Sequence, residues 1–306
     1  MTELDEKIFS RTLRRRDWII VAVVLVALFF VVGASRAGTV RDGKFRIYFL
    51  NVGQGDAILL LSSSGHQVLI DGGPDRSILT QLSSVMPFYD RSLDAVILTH
   101  PDADHLAGLV QVLDRYDVGV VIETGMACET ALCASWREAV KNENAENVVA
   151  YAGYTIDLGD GALLTIISPP SNLEGVLVNK KNNGAIVARL DYKNQNVLLT
   201  ADIERETEHA LLTSNYSGFL DTDILKVGHH GSKNSSLDEF LDAITPKLAV
   251  IEVGAKNRYG HPTQEALTRL ANHHATVYRT DINGRVTFEL DGERIKVIPE
   301  KPNVGI

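Results

Sequence analysis

At 306 residues the chain is long enough for one large domain or two small ones, and with 45% hydrophobic residues it can bury a sizeable core, which excludes a disordered chain. The net charge is −9, and residues 38–306 alone carry −11 once the six basic and four acidic residues of 1–37 are set apart. A body this acidic has no global attraction for nucleic acid, so any polyanion must be held by local groups.

The chain opens on a basic leader, residues 1–17, followed by an uncharged run of 17 residues from Trp18 to Ala34. That length lies at the short end for a spanning helix, and Arg14-Arg15-Arg16 before it predicts a cytoplasmic N-terminus. Residues 18–37 are therefore expected to be a single-pass transmembrane anchor that places residues 38–306 outside the cytoplasm at the cell membrane. The alternative is a signal peptide cleaved near Ala37, which would give a secreted protein. Cys128 and Cys133 stand too alone for a metal site, and in an exported domain they predict a local disulfide.

From Lys44 onward, short apolar runs alternate with helical stretches. Strands are predicted at Phe45–Leu50, Asp56–Leu61, Gln67–Ile70 and Leu93–Thr99. A helix over Leu106–Tyr116, a strand at Val118–Ile122 and a helix over Ala131–Lys141 follow. Val148–Leu158 and Ala162–Ile167 read as strands, and Ala185–Leu190 with Asn196–Thr200 as a hairpin. The rest reads as helices at Glu204–Leu212, Leu237–Ile244 and Thr263–Asn272 between strands at Asp223–Val227, Leu248–Val253, Val277–Arg279, Arg285–Leu290 and Arg294–Ile298. Two blocks of strands with interleaved helices suggest an α/β fold of two sheets covered outside by helices, an αββα sandwich.

Ionisable residues fall at the ends of these strands. His100, Asp102, Asp104 and His105 (HPDADH) follow a buried strand, and Asp71, Asp202 and His229 each follow another. Strand ends on one sheet edge converge, so these groups can face a common cleft. An Asp after a strand is ordinarily a turn former or helix cap, but four such residues within six, matched by three more strand ends, point to metal binding. Gly53-Gln54-Gly55 reads either as a phosphate-approaching loop or as a tight turn.

HPDADH resembles the HxHxDH motif of the metallo-β-lactamase superfamily, with Asp102 in place of the middle His. Together with LNVGQGDAILL (50–60), LIDGG (69–73), NNGAIV (182–187), LLTADIE (198–204), ILKVGHHGSKNSS (224–236) and NRYGHPT (257–263), it resembles the catalytic domain of ComEC-type DNA-uptake proteins. The motifs run in family order over about residues 45–290. The family usually carries Gly where Ala201 stands and often Ser where Ala185 stands.

The resemblance implies the superfamily's four-layer αββα sandwich, preceded here by one N-terminal apolar helix, and a hydrolase with two divalent metal ions. His100 and Asp102 would hold one ion, and Asp104, His105 and His229 the other. Asp202 would bridge them, and Asp71 would orient a ligand from behind. His230 is the alternative to His229. Asn183 stands near the point where the wider superfamily has a third His, which makes the first site richer in oxygen and favours Mn²⁺ or Mg²⁺ there, with Zn²⁺ also compatible. Asp104, His261 and Lys233 are the groups expected at the reacting centre, His261 as a proton donor to the leaving group.

Of the cations beside the motifs (Lys180, Lys181, Lys226, Lys233, Lys256 and Arg258), Lys226 and Lys233 are expected to face the cleft mouth and contact phosphate. The substrate class so implied is a nucleic acid or another phosphodiester, with a separate DNA-uptake channel as partner and the membrane as the site of attachment. The competing readings are a non-catalytic nucleic-acid-binding accessory of such a channel and a hydrolase of cell-envelope phosphoesters.

Overall fold

The structure, a computed structural model, describes residues 42–302. The expected membrane-spanning helix is corrected here: among the described residues no helix is long and apolar enough to cross a membrane. The basic leader and the 18–37 segment lie outside the described residues. The anchored topology, the external location and the membrane partner drawn from that segment are therefore not carried forward.

Two sheets form the centre. The first has eight strands in the order β15-β14-β1-β2-β3-β4-β5-β6: β1 Phe45–Phe49, β2 Ile58–Leu61, β3 Gln67–Ile70, β4 Ser92–Leu98, β5 Asp117–Glu123, β6 Glu146–Val149, β14 Val286–Leu290 and β15 Ile295–Pro299. The second has seven in the order β13-β12-β11-β10-β9-β8-β7: β7 Thr155–Asp157, β8 Ala162–Ser168, β9 Val187–Tyr192, β10 Gln195–Leu199, β11 Ile224–Lys226, β12 Leu248–Ile251 and β13 Thr276–Arg279.

Alternation along the strands explains the layering. In β1, Phe45, Ile47 and Phe49 point into an apolar layer shared with Leu164, Leu190, Val197 and Ile224 of the other sheet. The opposite face of the first sheet (Leu59, Leu69, Val96, Val121) packs on α1 Ser77–Val85, α2 Ala103–Leu113 and α3 Ala131–Glu143. The outer face of the second sheet (Leu198, Leu225, Ala249, Ile251) packs on α4 Arg205–Leu212, α5 Asp238–Ile244 and α6 Gln264–Asn272. The result is the αββα sandwich that the strand pattern suggested.

Three local readings differ. Val148–Leu158 is two strands in two different sheets, β6 and β7; the chain crosses between them through Gly153, whose φ of 101° suits a glycine. Helix α1 was not anticipated, because Ser77–Val85 carries only two fully buried apolar residues, Ile78 and Leu82. Helix α2 begins at Ala103, three residues earlier than read, so Asp104 and His105 stand in its first turn and Asp102 just before it. Cys128 and Cys133 are disulfide-bonded with their Cα atoms 5.9 Å apart.

Strand direction positions the chemistry. β3 and β4 run parallel in one sheet, and β10, β11 and β12 run parallel in the other. Parallel neighbours bring their C-terminal ends to the same edge, where Asp71, His100, Asp202, His229 with His230, and Glu252 follow them. The Ile186 amide donates to the Thr99 carbonyl at 3.0 Å and ties the two sheets together beside that edge.

Candidate metal centre

Three histidines, all essentially inaccessible, are held by one nitrogen and bare at the other. His105 Nδ1 lies 2.8 Å from Asp71 Oδ2, and His230 Nδ1 lies 2.8 Å from the Glu252 carbonyl oxygen. Thr99 Oγ1 donates to Asp71 Oδ2 at 2.7 Å; with its one proton spent there, it accepts from His100 Nδ1 at 3.0 Å. Each ring therefore has a proton on Nδ1, and each Nε2 is buried with no hydrogen-bond partner. Asp71 also accepts the Thr99 amide at 2.9 Å, so both its oxygens are taken and it orients two of the three rings.

The bare edges meet around one carboxylate. Asp202 Oδ2 lies 3.3 Å from His105 Nε2 and 3.3 Å from His230 Nε2, and Asp104 Oδ2 lies 3.3 Å from His230 Nε2. Asp104, His105, Asp202 and His230 offer ligand atoms all within 4.8 Å of one another. Buried polar atoms left unpaired are costly, and a metal bonded to them removes the cost, so the donor set fits a divalent ion. A second group, Asp56, Asp71 and His105, meets the same distance criterion.

The electrostatics agree. Burial opposes charge on His105 and His230, yet Asp202 with Asp71 for the one, and Asp202 with Asp104 for the other, hold both rings well above the usual histidine range. Asp202 is itself held well below the carboxylate range against its burial, chiefly by His230 and His105. His100 is pushed down to about 4 by burial and by the neighbouring His105, whose ring centroid is 4.2 Å away.

The expected ligands divide. His230, not His229, belongs to the four-residue group. His229 is partly exposed, its Nδ1 lies 3.0 Å from Glu204 Oε1, and its Nε2 stays 3.9 Å from Asp202. His100 and Asp102 do not join either group. His100 Nε2 is 3.7 Å from Asp102 Oδ2, and Asp102 Oδ1 accepts from Lys181 Nζ at 2.7 Å. Asn183 has a buried Oδ1 without a partner, in the 3₁₀ turn Lys181–Gly184 that also carries Lys181.

His261 sits at the rim, its ring centroid 5.4 Å from that of His229 and 6.0 Å from that of the exposed Tyr259. Burial, with the nearby His229 and His230, lowers its pKa to about 4. It is therefore neutral at pH 7 and can donate only a proton it has first accepted. Lys233 is exposed, as a phosphate contact requires.

Lys226 does not face the cleft mouth. Its side chain is fully buried, and its ammonium group is bonded to the Asp56 carboxylate and to the Ala201 carbonyl, the latter at 2.8 Å. An ammonium group in the interior needs such partners, and the carboxylates of Asp56, Asp202 and Glu252 keep it charged. Gly55 serves close packing: a Cβ there would lie 2.1 Å from the Asp104 carbonyl oxygen. The loop thus rests against the first turn of α2 at Gly55, while Gly53 faces open space.

Sequence reasoning missed Asp56, Glu252 and the burial of Lys226. Each is a lone charge in an apolar run (GDAILL, VIEVG, ILKVG), and a lone charge in or beside a buried strand signals an internal partner. Glu252 Oε1 accepts the Ala57 amide at 3.0 Å, and its pKa is pushed well up by burial and by Asp56.

The metallo-β-lactamase superfamily model matches residues 50–254. The ComE operon protein 3 of Bacillus subtilis is 32% identical over 78% of this chain and 32% of its own length. The competence protein ComA of Neisseria gonorrhoeae is 28% identical over 94% of this chain and 38% of its own. The chain thus spans about a third of the length of these relatives. Among solved structures, YhfI of Bacillus subtilis, a metallo-β-lactamase fold protein, superposes with a TM-score of 0.53 at 13% identity over 81% of this chain and 99% of its own. CmlA, a diiron β-hydroxylase from Streptomyces venezuelae, superposes with a TM-score of 0.51 at 14% identity, covering 80% and 54%. At those identities the superpositions speak for the fold alone.

Proposed function

The chain belongs to the metallo-β-lactamase superfamily, and from that premise we propose that this metal-dependent hydrolase cleaves phosphodiester bonds, with nucleic acid as the substrate class, using two divalent ions. One observation carries the metal part: three buried histidine Nε2 atoms with their other nitrogens already engaged. Asp104, His105, Asp202 and His230 would hold one ion. His100 and Asp102 would hold the other, with Asp202 shared and Lys181 giving up Asp102. Mn²⁺, Mg²⁺ and Zn²⁺ all suit a set of carboxylates and imidazoles. Divalent ions, when bound, acidify water at neutral pH and offset charge on phosphoryl oxygens.

The chain's own residues do the rest. Asp71 and Thr99 hold His105 and His100 in one tautomer, and the Glu252 carbonyl does the same for His230. His261, neutral and at the rim, relays a proton toward the leaving oxygen after accepting one. Lys181, Lys233 and Arg258 supply the positive charge that an acidic body lacks. The reading of a phosphodiester is supported by the relationship to competence proteins along 78% and 94% of the chain.

The test is a panel assay on the full chain. Single- and double-stranded DNA, RNA, a bis-phenyl phosphodiester and a β-lactam are offered with Mn²⁺, Mg²⁺ or Zn²⁺. Phosphodiester turnover that depends on added metal is the expected result. Metal binding without any phosphodiester turnover would favour a nucleic-acid-binding accessory instead.

A further inference from the structure

We infer that Lys226 is a positioning residue for Asp202: its ammonium group claims the inner oxygen, Oδ1, so that Asp202 meets metal through Oδ2 alone. The inference rests on the reading of Asp202 as a metal ligand.

Lys226 ends β11 and has no exposed surface. A lysine offers three N–H donors. One goes to the Asp56 carboxylate and one to the Ala201 carbonyl at 2.8 Å. Asp202 Oδ1, a buried atom with no hydrogen bond of its own, faces the ammonium at 3.6 Å, an ion-pair distance beyond a hydrogen bond, and the Glu252 carboxylate acts on the same ammonium. The other oxygen, Oδ2, faces His105 and His230 at 3.3 Å each. The two oxygens of one carboxylate thus look at different cations, a fixed ammonium on the inside and the metal pocket on the outside.

The same ammonium explains why the inner group of Asp56, Asp71 and His105 is not a second metal pocket. Asp56 is already neutralised by Lys226. Both Asp71 oxygens are already engaged by Thr99 and His105. A metal there would compete with a buried ammonium for Asp56 and with the hydrogen bonds that Thr99 and His105 make to Asp71. Lys226 is the resident cation of that inner space, and incoming metal is confined to the outer one. The Ala201 backbone, at φ 47°, turns its carbonyl toward Lys226 and accepts the His229 amide at 3.1 Å, which ties the lysine to the loop that carries His230.

Two measurements test this. Anomalous diffraction from wild-type crystals grown with Mn²⁺ should show metal bonded to Asp202 Oδ2, with Oδ1 left on Lys226 and no peak between Asp56 and Asp71. A metal bond to Oδ1, or a peak at Asp56 and Asp71, overturns the inference while leaving the metal reading intact. Absence of any metal at Asp202 removes the metal reading, and the inference with it. In the full chain, Lys226→Met/Asp56→Asn removes the buried pair in balance and frees Oδ1. Mn²⁺ affinity by calorimetry should then change about 10- to 100-fold, with an altered Mn²⁺ EPR line shape. A folded double variant with wild-type affinity and line shape would reduce Lys226 to a structural ion pair. Wild-type diffraction decides the matter whatever the variant's folding.

Discussion

The His230 ring donates through Nδ1 to the Glu252 carbonyl oxygen at 2.8 Å and presents its bare Nε2 at 3.3 Å to both Asp104 and Asp202. His229, one residue earlier, points to Glu204 at the rim. His230→Ala should therefore lower metal affinity at least tenfold and take hydrolysis with it, whereas His229→Ala should leave metal affinity within a few-fold. Metal titration of the two variants by calorimetry decides. Equal losses would mean both rings serve the metal.

Metal uptake should release protons. In the metal-free protein Asp202 and its neighbours hold His105 and His230 well above the usual histidine value. A proton held at Nε2 must leave before a metal can take that nitrogen's lone pair. Apparent affinity should rise as pH rises from 6 upward, and calorimetry in buffers of different ionisation heat should show net proton release. For the metal-free fold the sign is opposite. The stabilisation from these raised pKa values is complete below about 6.5 and is lost as pH climbs through the folded-state values. Metal-free protein should lose thermal stability toward alkaline pH while metal-loaded protein does not.

Ala201 sits in the left-handed region at φ 47°, a conformation that costs a residue with a Cβ roughly 1–2 kcal/mol. Glycine there avoids that cost but gives up about 0.5–1 kcal/mol through the freedom of the unfolded chain. Ala201→Gly should stabilise the fold by less than about 1 kcal/mol in denaturant unfolding, with metal stoichiometry unchanged. A clear loss of stability would show that the alanine methyl packs too well to spare.

Lys233 is the exposed cation of the His230 loop, so its replacement tests phosphate contact without disturbing the core. Lys233→Glu should raise KM for DNA, flatten the salt dependence and leave kcat and metal content close to wild type. Unchanged KM and salt slope would remove Lys233 from the substrate path. Lys226 is unsuited to that test, because its removal alone strands the buried Asp56 charge at about 3–5 kcal/mol.

Much of the layout was legible along the chain. Period-two alternation in Phe45–Phe49 and apolar runs such as Ser92–Leu98 identify strands locally, and the clustering of His100, Asp102, Asp104 and His105 marks the site, because so many ionisable groups in one short loop need a shared reason to be there. The sequence also held a signal that went unread: the lone charges Asp56, Lys226 and Glu252 in apolar runs at strand ends. What the chain alone could not decide was which partner each group meets. Nothing local separates His229 from His230; that choice follows from a loop turning through two left-handed residues so that one ring enters the core and the other stays at the rim. Nor can spacing say that Lys226 points inward, because it depends on a carboxylate 170 positions away arriving from the other sheet. Strand identity is a property of neighbours in sequence, whereas charge pairing is a property of neighbours in space, and only the packing of two sheets face to face brings those together.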